Sequence, residues 1–332
     1  MFIIGLFNGS GQKKLTKENY KQFKQDKFQE MLEHYDNILE IKPDYVEAWH
    51  GRGVVLDQLG RYQEAIESYD KTLELEPKKV EAWYNKGNAL ESLGKYQEAI
   101  ESYNKALEID PNYASPLNNK GYILTKLGKY QEALKCHDKA LEIEPKNAEA
   151  WNNKGIALEK LGKYQEALEC HDKALEIEPK NANAWNNKGI ALEKLGKYQE
   201  AIESYNKALE IEPKIAEIWY NKGNTFGDLG KFQEAIESYD KALEINPKDV
   251  EAWYNKGNTF GNLGKFQKAI ESYDKALEID PNDFDAWNNK GHALKDSGRY
   301  QEAIKSYDKA LEINPDFEPA LKAKEEILKA KK

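Results

Sequence analysis

The sequence predicts an all-α fold, an α-solenoid of antiparallel helix pairs, and three observations predict it. Prolines stand at 43, 77, 111, 145, 179, 213, 247, 281 and 315, each 34 residues from the last, with only Pro116 and Pro319 off that grid. Seven tryptophans, Trp49, Trp83, Trp151, Trp185, Trp219, Trp253 and Trp287, keep the same register, and Leu117 fills the one vacant slot. The segment WNNKGIALEKLGKYQEA at 151–167 returns unchanged at 185–201. Such periods mark stacked repeats whose units cannot bury their apolar faces alone.

Each unit resolves into two helices. In residues 83–111, Trp83, Gly87, Leu90 and Leu93 fall near one helical face, and Gly94 offers the left-handed backbone that closes helix A. Tyr96, Ala99, Ile100, Tyr103, Ala106 and Leu107 mark one face of helix B, which Pro111 cannot continue. Sixteen of the 22 glycines occupy two slots, from Gly53 to Gly291 and from Gly60 to Gly298. Gly87 is expected opposite Ala99, where it lets the helix backbones approach, with Ala106 leaving room for the next unit. The tryptophans are expected to fill buried space, so that Trp185→Ala costs roughly 3–5 kcal/mol.

The domain reading follows from the grid. Eight full repeats span 46–317, as 46–79, 80–113, 114–147, 148–181, 182–215, 216–249, 250–283 and 284–317. Residues 12–45 read as a ninth, degenerate repeat that keeps the helix B pattern in FQEMLEHYDNILEIKP but has no Trp and no paired glycines. Residues 318–332 read as a capping helix with Leu321, Ile327 and Leu328 on one face and lysines elsewhere. Residues 1–11 read as an arm: MFIIGLF is apolar but lacks a basic leader and a small-residue cleavage site, and is expected to hang loose or to pack as a strip on the first helices.

Composition excludes several function classes. A hydrophobic fraction of 40% with 32% charged residues describes a thin, well-wetted object. A net charge of -9 argues against nucleic-acid binding. No run of about 18 apolar residues is present, which argues against a membrane span. Cys136 and Cys170 cannot make a disulfide framework, so a reducing, cytoplasmic setting is expected.

Chemistry is sparse. CHD occurs at 136–138 and 170–172, where most repeats read SYD or SYN. Adjacent residues on a helix point about 100° apart, so these pairs make poor zinc sites. His137 and His171 are expected to replace the helix B tyrosine in the packing, and the cysteines to replace serine. His34, His50 and His292 form no constellation, and GSG at 9–11 lacks the strand and helix of a phosphate loop. No enzyme, cofactor or metal is expected.

These residues resemble the tetratricopeptide repeat: Trp, then Gly four residues on, a tyrosine, an alanine, an aromatic, a second alanine and a terminating proline. The resemblance implies a right-handed superhelix whose A helices line a concave groove where partners bind. One departure is the cation before the first glycine of each repeat, Arg52, Lys86, Lys120, Lys154, Lys188, Lys222, Lys256 or Lys290, where the family is usually apolar. Their aliphatic stems are expected to pack and their ammonium groups to reach water.

Helix A residues not used in packing are the candidates for binding. Asparagine recurs two residues after the Trp slot in seven of eight repeats: Asn85, Asn119, Asn153, Asn187, Asn221, Asn255 and Asn289. An amide matches what an extended peptide backbone presents; equally, these asparagines bond to neighbouring turns or water. Around them stand Tyr84 with Asn88, Tyr220 with Asn224 and Tyr254 with Asn258, while the repeats at 148 and 182 offer Asn152, Asn186, Ile156 and Ile190. Gly227 and Gly261 interrupt helix A at about 1 kcal/mol each, either to clear space for a bulky partner group or because one was copied with its repeat.

On five inner-face columns twelve acidic residues stand against four basic ones, which favours a neutral or basic segment. Family members that grip acidic chaperone tails use basic residues where this chain has Glu81, Tyr84 and Asn85. The expected function is therefore a non-catalytic scaffold that binds an extended peptide or partner protein. Self-assembly of near-identical repeats is the rival reading. A third is an accessory repeat subunit of a glycosyltransferase-type complex, since similar repeats with a similar asparagine ladder precede such a domain in O-GlcNAc transferase.

Overall fold

Pairs of helices repeat through the chain because two kinds of glycine and one proline recur at fixed intervals. The computed structural model describes residues 17–330; the expected arm at 1–11 lies outside them. Among the described residues there are eighteen helices and no strand, and none of these helices is long and apolar enough to cross a membrane. The chain divides into two compact units after Pro145.

The first unit holds α1 (Lys17–Ile41), α2 (Val46–Gln58), α3 (Tyr62–Leu75), α4 (Val80–Ser92), α5 (Tyr96–Ile109), α6 (Ala114–Lys126) and α7 (Tyr130–Ile143). The second holds α8 (Ala148–Lys160), α9 (Tyr164–Ile177), α10 (Ala182–Lys194), α11 (Tyr198–Ile211), α12 (Ala216–Asp228), α13 (Phe232–Ile245), α14 (Val250–Asn262), α15 (Phe266–Ile279), α16 (Phe284–Asp296), α17 (Tyr300–Ile313) and α18 (Glu318–Ala330). Even-numbered helices are A helices and odd-numbered ones B helices. Within each unit successive A helices touch, whereas B helices touch A helices but never each other. Each array is therefore closed on its A side and splayed on its B side.

Helix A stops where glycine takes a positive φ, from 67° at Gly264 to 80° at Gly298. Arg61 N–H reaches back to the Leu56 carbonyl at 2.9 Å and Gly60 N–H to Asp57 at 3.0 Å, which satisfies carbonyls left open at the helix end. Where the slot is lost, the helix runs on. Asp26 stands one period before Gly60, and α1 is a single unbroken helix of 25 residues rather than a helix pair.

The first glycine of each repeat has a different partner from the one expected. A Cβ on Gly87 would collide with the ring of Tyr103, not with Ala99, and Gly53, Gly189, Gly223, Gly257 and Gly291 meet Tyr69, Tyr205, Tyr239, Tyr273 and Tyr307 in the same way. Glycine is there because a whole aromatic ring lies flat on the backbone of helix A. His137 and His171 take the tyrosine's place against Gly121 and Gly155, and both are fully buried.

The tryptophans also differ from expectation: they are only partly buried. In six of them the indole N–H donates to the carbonyl of the proline six residues back, at 2.8–3.1 Å. Each of these tryptophans thus ties the start of helix A to the preceding turn. The cations beside them do not reach freely into water either. Lys86, Lys188, Lys256 and Lys290 pair with Asp70, Asp172, Asp240 and Asp274 of the preceding B helix at 2.5–2.6 Å. The same four ammonium groups sit 4.7–5.4 Å from the centroids of Trp83, Trp185, Trp253 and Trp287. Lys222 differs because Asn206 replaces the aspartate; it keeps its aromatic contact with Trp219 at 4.9 Å, and burial pushes its pKa down.

Candidate functional site: the A-helix face

The ladder asparagines use their amide groups to join one repeat to the next. Asn119 donates Nδ2 to Asn88 Oδ1 at 2.9 Å, and Asn187 and Asn221 donate to Asn152 and Asn186 at 3.1 Å each. Asn255 donates to Tyr220 Oη at 3.0 Å and Asn224 Oδ1 at 3.2 Å, and Asn289 to Tyr254 Oη at 2.8 Å and Asn258 Oδ1 at 3.0 Å. Asn85 reaches His50 Nε2 at 3.2 Å. Asn153 is buried, at 7% exposure, whereas the other six are half-buried.

The acceptors of these bonds are themselves fixed from below. Tyr103, Tyr239 and Tyr273 donate their hydroxyls to Asn88, Asn224 and Asn258 at 2.7–2.8 Å. In the repeat at 148, His171 Nδ1 takes the tyrosine's role against Asn152 at 3.1 Å. Asn152 and Asn186, expected on the binding surface, are instead buried acceptors. A three-member relay therefore runs from a B-helix ring, through an A-helix amide, to the ladder amide of the next repeat. The relay spans 15 residues and then 31, a spacing that periodicity does not display.

Asn255 and Asn289 use both amide N–H donors in these bonds, whereas Asn187 and Asn221 use one each and keep a second. The Oδ1 atoms of Asn187, Asn221 and Asn255 accept nothing from the protein among the described residues. Among the described residues Asp228 and Asp296 make no ion pair, and desolvation followed by the nearby Glu193 carboxylate pushes the Asp228 pKa up. Tyr84 lies 5.1 Å from Tyr113 between ring centroids, and burial pushes the Tyr113 hydroxyl up to about 12. Glutamates on this face fold inward: Glu91 competes with Asn88 for the one Tyr103 hydroxyl hydrogen at 2.9 Å, Glu159 meets His171 Nε2 at 3.0 Å, and Glu193 accepts from Thr225 Oγ1 at 2.7 Å.

Gly227 and Gly261 leave that inward position empty. A Cβ on Gly261 would meet nothing within 4 Å, and one on Gly227 only the Tyr239 hydroxyl at 4.0 Å. Beside Gly261 opens a cleft of about 290 Å³ whose lining includes Asn258, Phe266, Asn289, His292 and Asp296. Larger clefts of about 490 and 500 Å³ lie by Trp185 and Trp287, between charged side chains of alternating sign and away from the ladder.

The array ends by breaking the ladder. Ala323 of α18 stands in the asparagine slot, so the buried Asn288 Oδ1 finds no partner among the described residues. Cys136 and Cys170 are free thiols. Among the described residues no three His, Cys, Asp or Glu side chains gather as metal ligands.

Tetratricopeptide repeat models match residues 80–113, 216–249, 250–283 and 284–317, and further models of the same repeat match 34–67, 55–94, 112–177 and 146–214. No curated protein sequence matches the chain. Among solved structures, YrrB, described as a TPR protein with an unusual peptide-binding site, is 28% identical with a TM-score of 0.50, over 58% of this chain and 99% of its own. A tetratricopeptide repeat protein from Parabacteroides merdae ATCC 43184 is 21% identical, with a TM-score of 0.59, over 75% and 98%. A chain of the APC/C hetero-tetramer Cut9-Hcn1 is 18% identical, with a TM-score of 0.60, over 95% and 60%. The last two likenesses concern the fold. Glycine-seated tyrosines, proline-stapled tryptophans and matches reaching from residue 34 to residue 317 agree: the chain belongs to the tetratricopeptide repeat family and is a protein-interaction scaffold.

Proposed function

We propose that the chain is a non-catalytic scaffold that holds an extended, neutral or basic peptide segment of a partner protein along the A-helix face of its repeats. The observation that carries this reading is the polarity of the ladder. The Oδ1 atoms of Asn187, Asn221 and Asn255 keep no protein donor among the described residues, their N–H groups are partly or wholly used between repeats, and Asp228 nearby makes no ion pair among those residues. Such a face suits donors, namely the backbone N–H groups of an extended chain and the heads of basic side chains. The peptide-binding description of YrrB supports the same reading.

Fluorescence anisotropy with labelled basic, neutral and acidic peptides tests it. Basic and neutral peptides should bind, acidic ones should not, and Asn187→Ala with Asn221→Ala should weaken capture while circular dichroism stays helical. Binding that is indifferent to both changes moves the site off this face.

Self-association has one observation in its favour. Leu321 and Leu328 of α18 are each 46% exposed. Against it, Glu325 occupies the slot where every full repeat has the ring-seating glycine, so a further B helix cannot dock in register. Light scattering across a dilution series separates the two, since a scaffold of this kind keeps a constant mass.

A further inference from the structure

We propose that the cleft beside Gly261 is a subsite for one arginine side chain of the bound segment; this rests on the peptide-binding reading above and assigns it a specificity position. Three departures from the repeat pattern meet there. Gly261 stands where other repeats carry Glu91, Glu159 or Glu193, whose inward-folded carboxylates fill the corresponding space. Phe266 stands where six repeats carry tyrosine, so it brings an apolar ring to the lining, and the hydroxyl of the one tyrosine there, Tyr273, is engaged with Asn258 at 2.7 Å. Asp296 adds to the lining a carboxylate that makes no ion pair among the described residues, its neighbour Lys295 being held by Glu326 at 3.4 Å.

Arginine fits these features together. Its aliphatic stem suits Phe266 and Ala293, its flat head stacks on a ring face, and its fork matches a carboxylate in two parallel hydrogen bonds. Among the described residues no lysine or arginine lies over the Phe266 ring, although Trp83, Trp185, Trp253 and Trp287 each carry one. About 290 Å³ admits one long side chain and no folded element. His292 on the far wall is held below the ordinary imidazole range by burial, then by Lys295, and so adds no opposing charge at neutral pH. Gly227 and Phe232 repeat the clearing one repeat earlier, but Asn262 stands there where Asp296 stands here. The carboxylate singles out the Gly261 cleft.

The test uses the full chain and a positional-scanning set of labelled, capped octapeptides carrying arginine, lysine, citrulline or norleucine at one position. At one register the arginine peptide should bind about tenfold tighter than its citrulline twin, the expected size for a charge-assisted pair. Gly261→Leu, which fills the opening, and Asp296→Asn, which removes the charge, should each bring that ratio to within about twofold. Peptides that bind without preferring arginine, or a preference that survives Gly261→Leu, overturn the subsite alone. No binding by any peptide overturns the scaffold reading and the subsite with it.

Discussion

Thr225 on α12 donates its hydroxyl to the Glu193 carboxylate on α10 at 2.7 Å, and Tyr205 on α11 reaches the same carboxylate at 3.4 Å. Three helices from two repeats meet on one anion that is 14% exposed. The Asn221 carbonyl of its own helix, 3.1 Å away, is the longer alternative acceptor for that one hydrogen, and Thr225 is fully buried. Thr225→Val keeps the shape and deletes the link, at an expected cost of about 1–2 kcal/mol. Amide hydrogen exchange should show the lost protection in α10 to α12 first, because stability in such arrays is set between neighbours. Uniform loss along the chain contradicts this.

Asp228 carries a pH signature. Burial and the nearby Glu193 raise its carboxyl above the ordinary value of 3.8, so the folded chain prefers the protonated form. Stability from that preference is complete below 3.8 and is lost as pH rises through the higher folded value. At neutral pH the carboxylate, partly desolvated and close to the Glu193 carboxylate, is a liability. Asp228→Asn should therefore raise the melting temperature at pH 7 and give a smaller gain, or none, at pH 3. Equal gains at both pH values would show that the carboxylate is not perturbed.

The two kinds of helix A glycine predict opposite outcomes for one substitution. Gly189→Ala drives a methyl to 2.5 Å from the Tyr205 ring and should cost about 1–3 kcal/mol. Gly261→Ala meets nothing and should stabilise by up to about 1 kcal/mol through helix propensity. Thermal denaturation of the two variants decides it, and a shared sign refutes the distinction.

Trp185→Ala should cost less than a buried indole does. The ring is partly exposed, its N–H holds Pro179 O at 3.0 Å, and Lys188 sits 5.2 Å from its centroid. About 2 kcal/mol is expected, and Trp185→Phe, which keeps a ring and loses the hydrogen bond, should lose about 1 kcal/mol. Urea denaturation measures both.

What was legible in the sequence is what is decided locally. A glycine at the Gly94 slot ends a helix whatever lies around it, and Pro111 stops the next one without help from its neighbours. The unbroken α1 was not legible in this way, since residues 12–45 read as a degenerate helix pair, although the aspartate at position 26, in place of the closing glycine, carries the reason. Partnerships across the turn were not legible either. Gly87 and Tyr103 lie 16 positions apart, as do Lys86 and Asp70, and which of several small or charged residues meets which depends on helix rotation. The ladder was visible as a column of asparagines, but the direction of its hydrogen bonds was not. That direction leaves the Oδ1 atoms of Asn187, Asn221 and Asn255 free to accept while part of the donor capacity goes to the next repeat.

The amide-to-amide step reads the same at Asn152 with Asn187 and at Asn186 with Asn221, 3.1 Å in each case. Excising residues 153–186 would set Asn187 directly after Asn152 and restore the spelling WNNKG, with Asn221 then inheriting Asn152 as its acceptor. Such a molecule can be tailored like cloth with a printed motif: removing one whole 34-residue pattern leaves no seam, while any other cut shows.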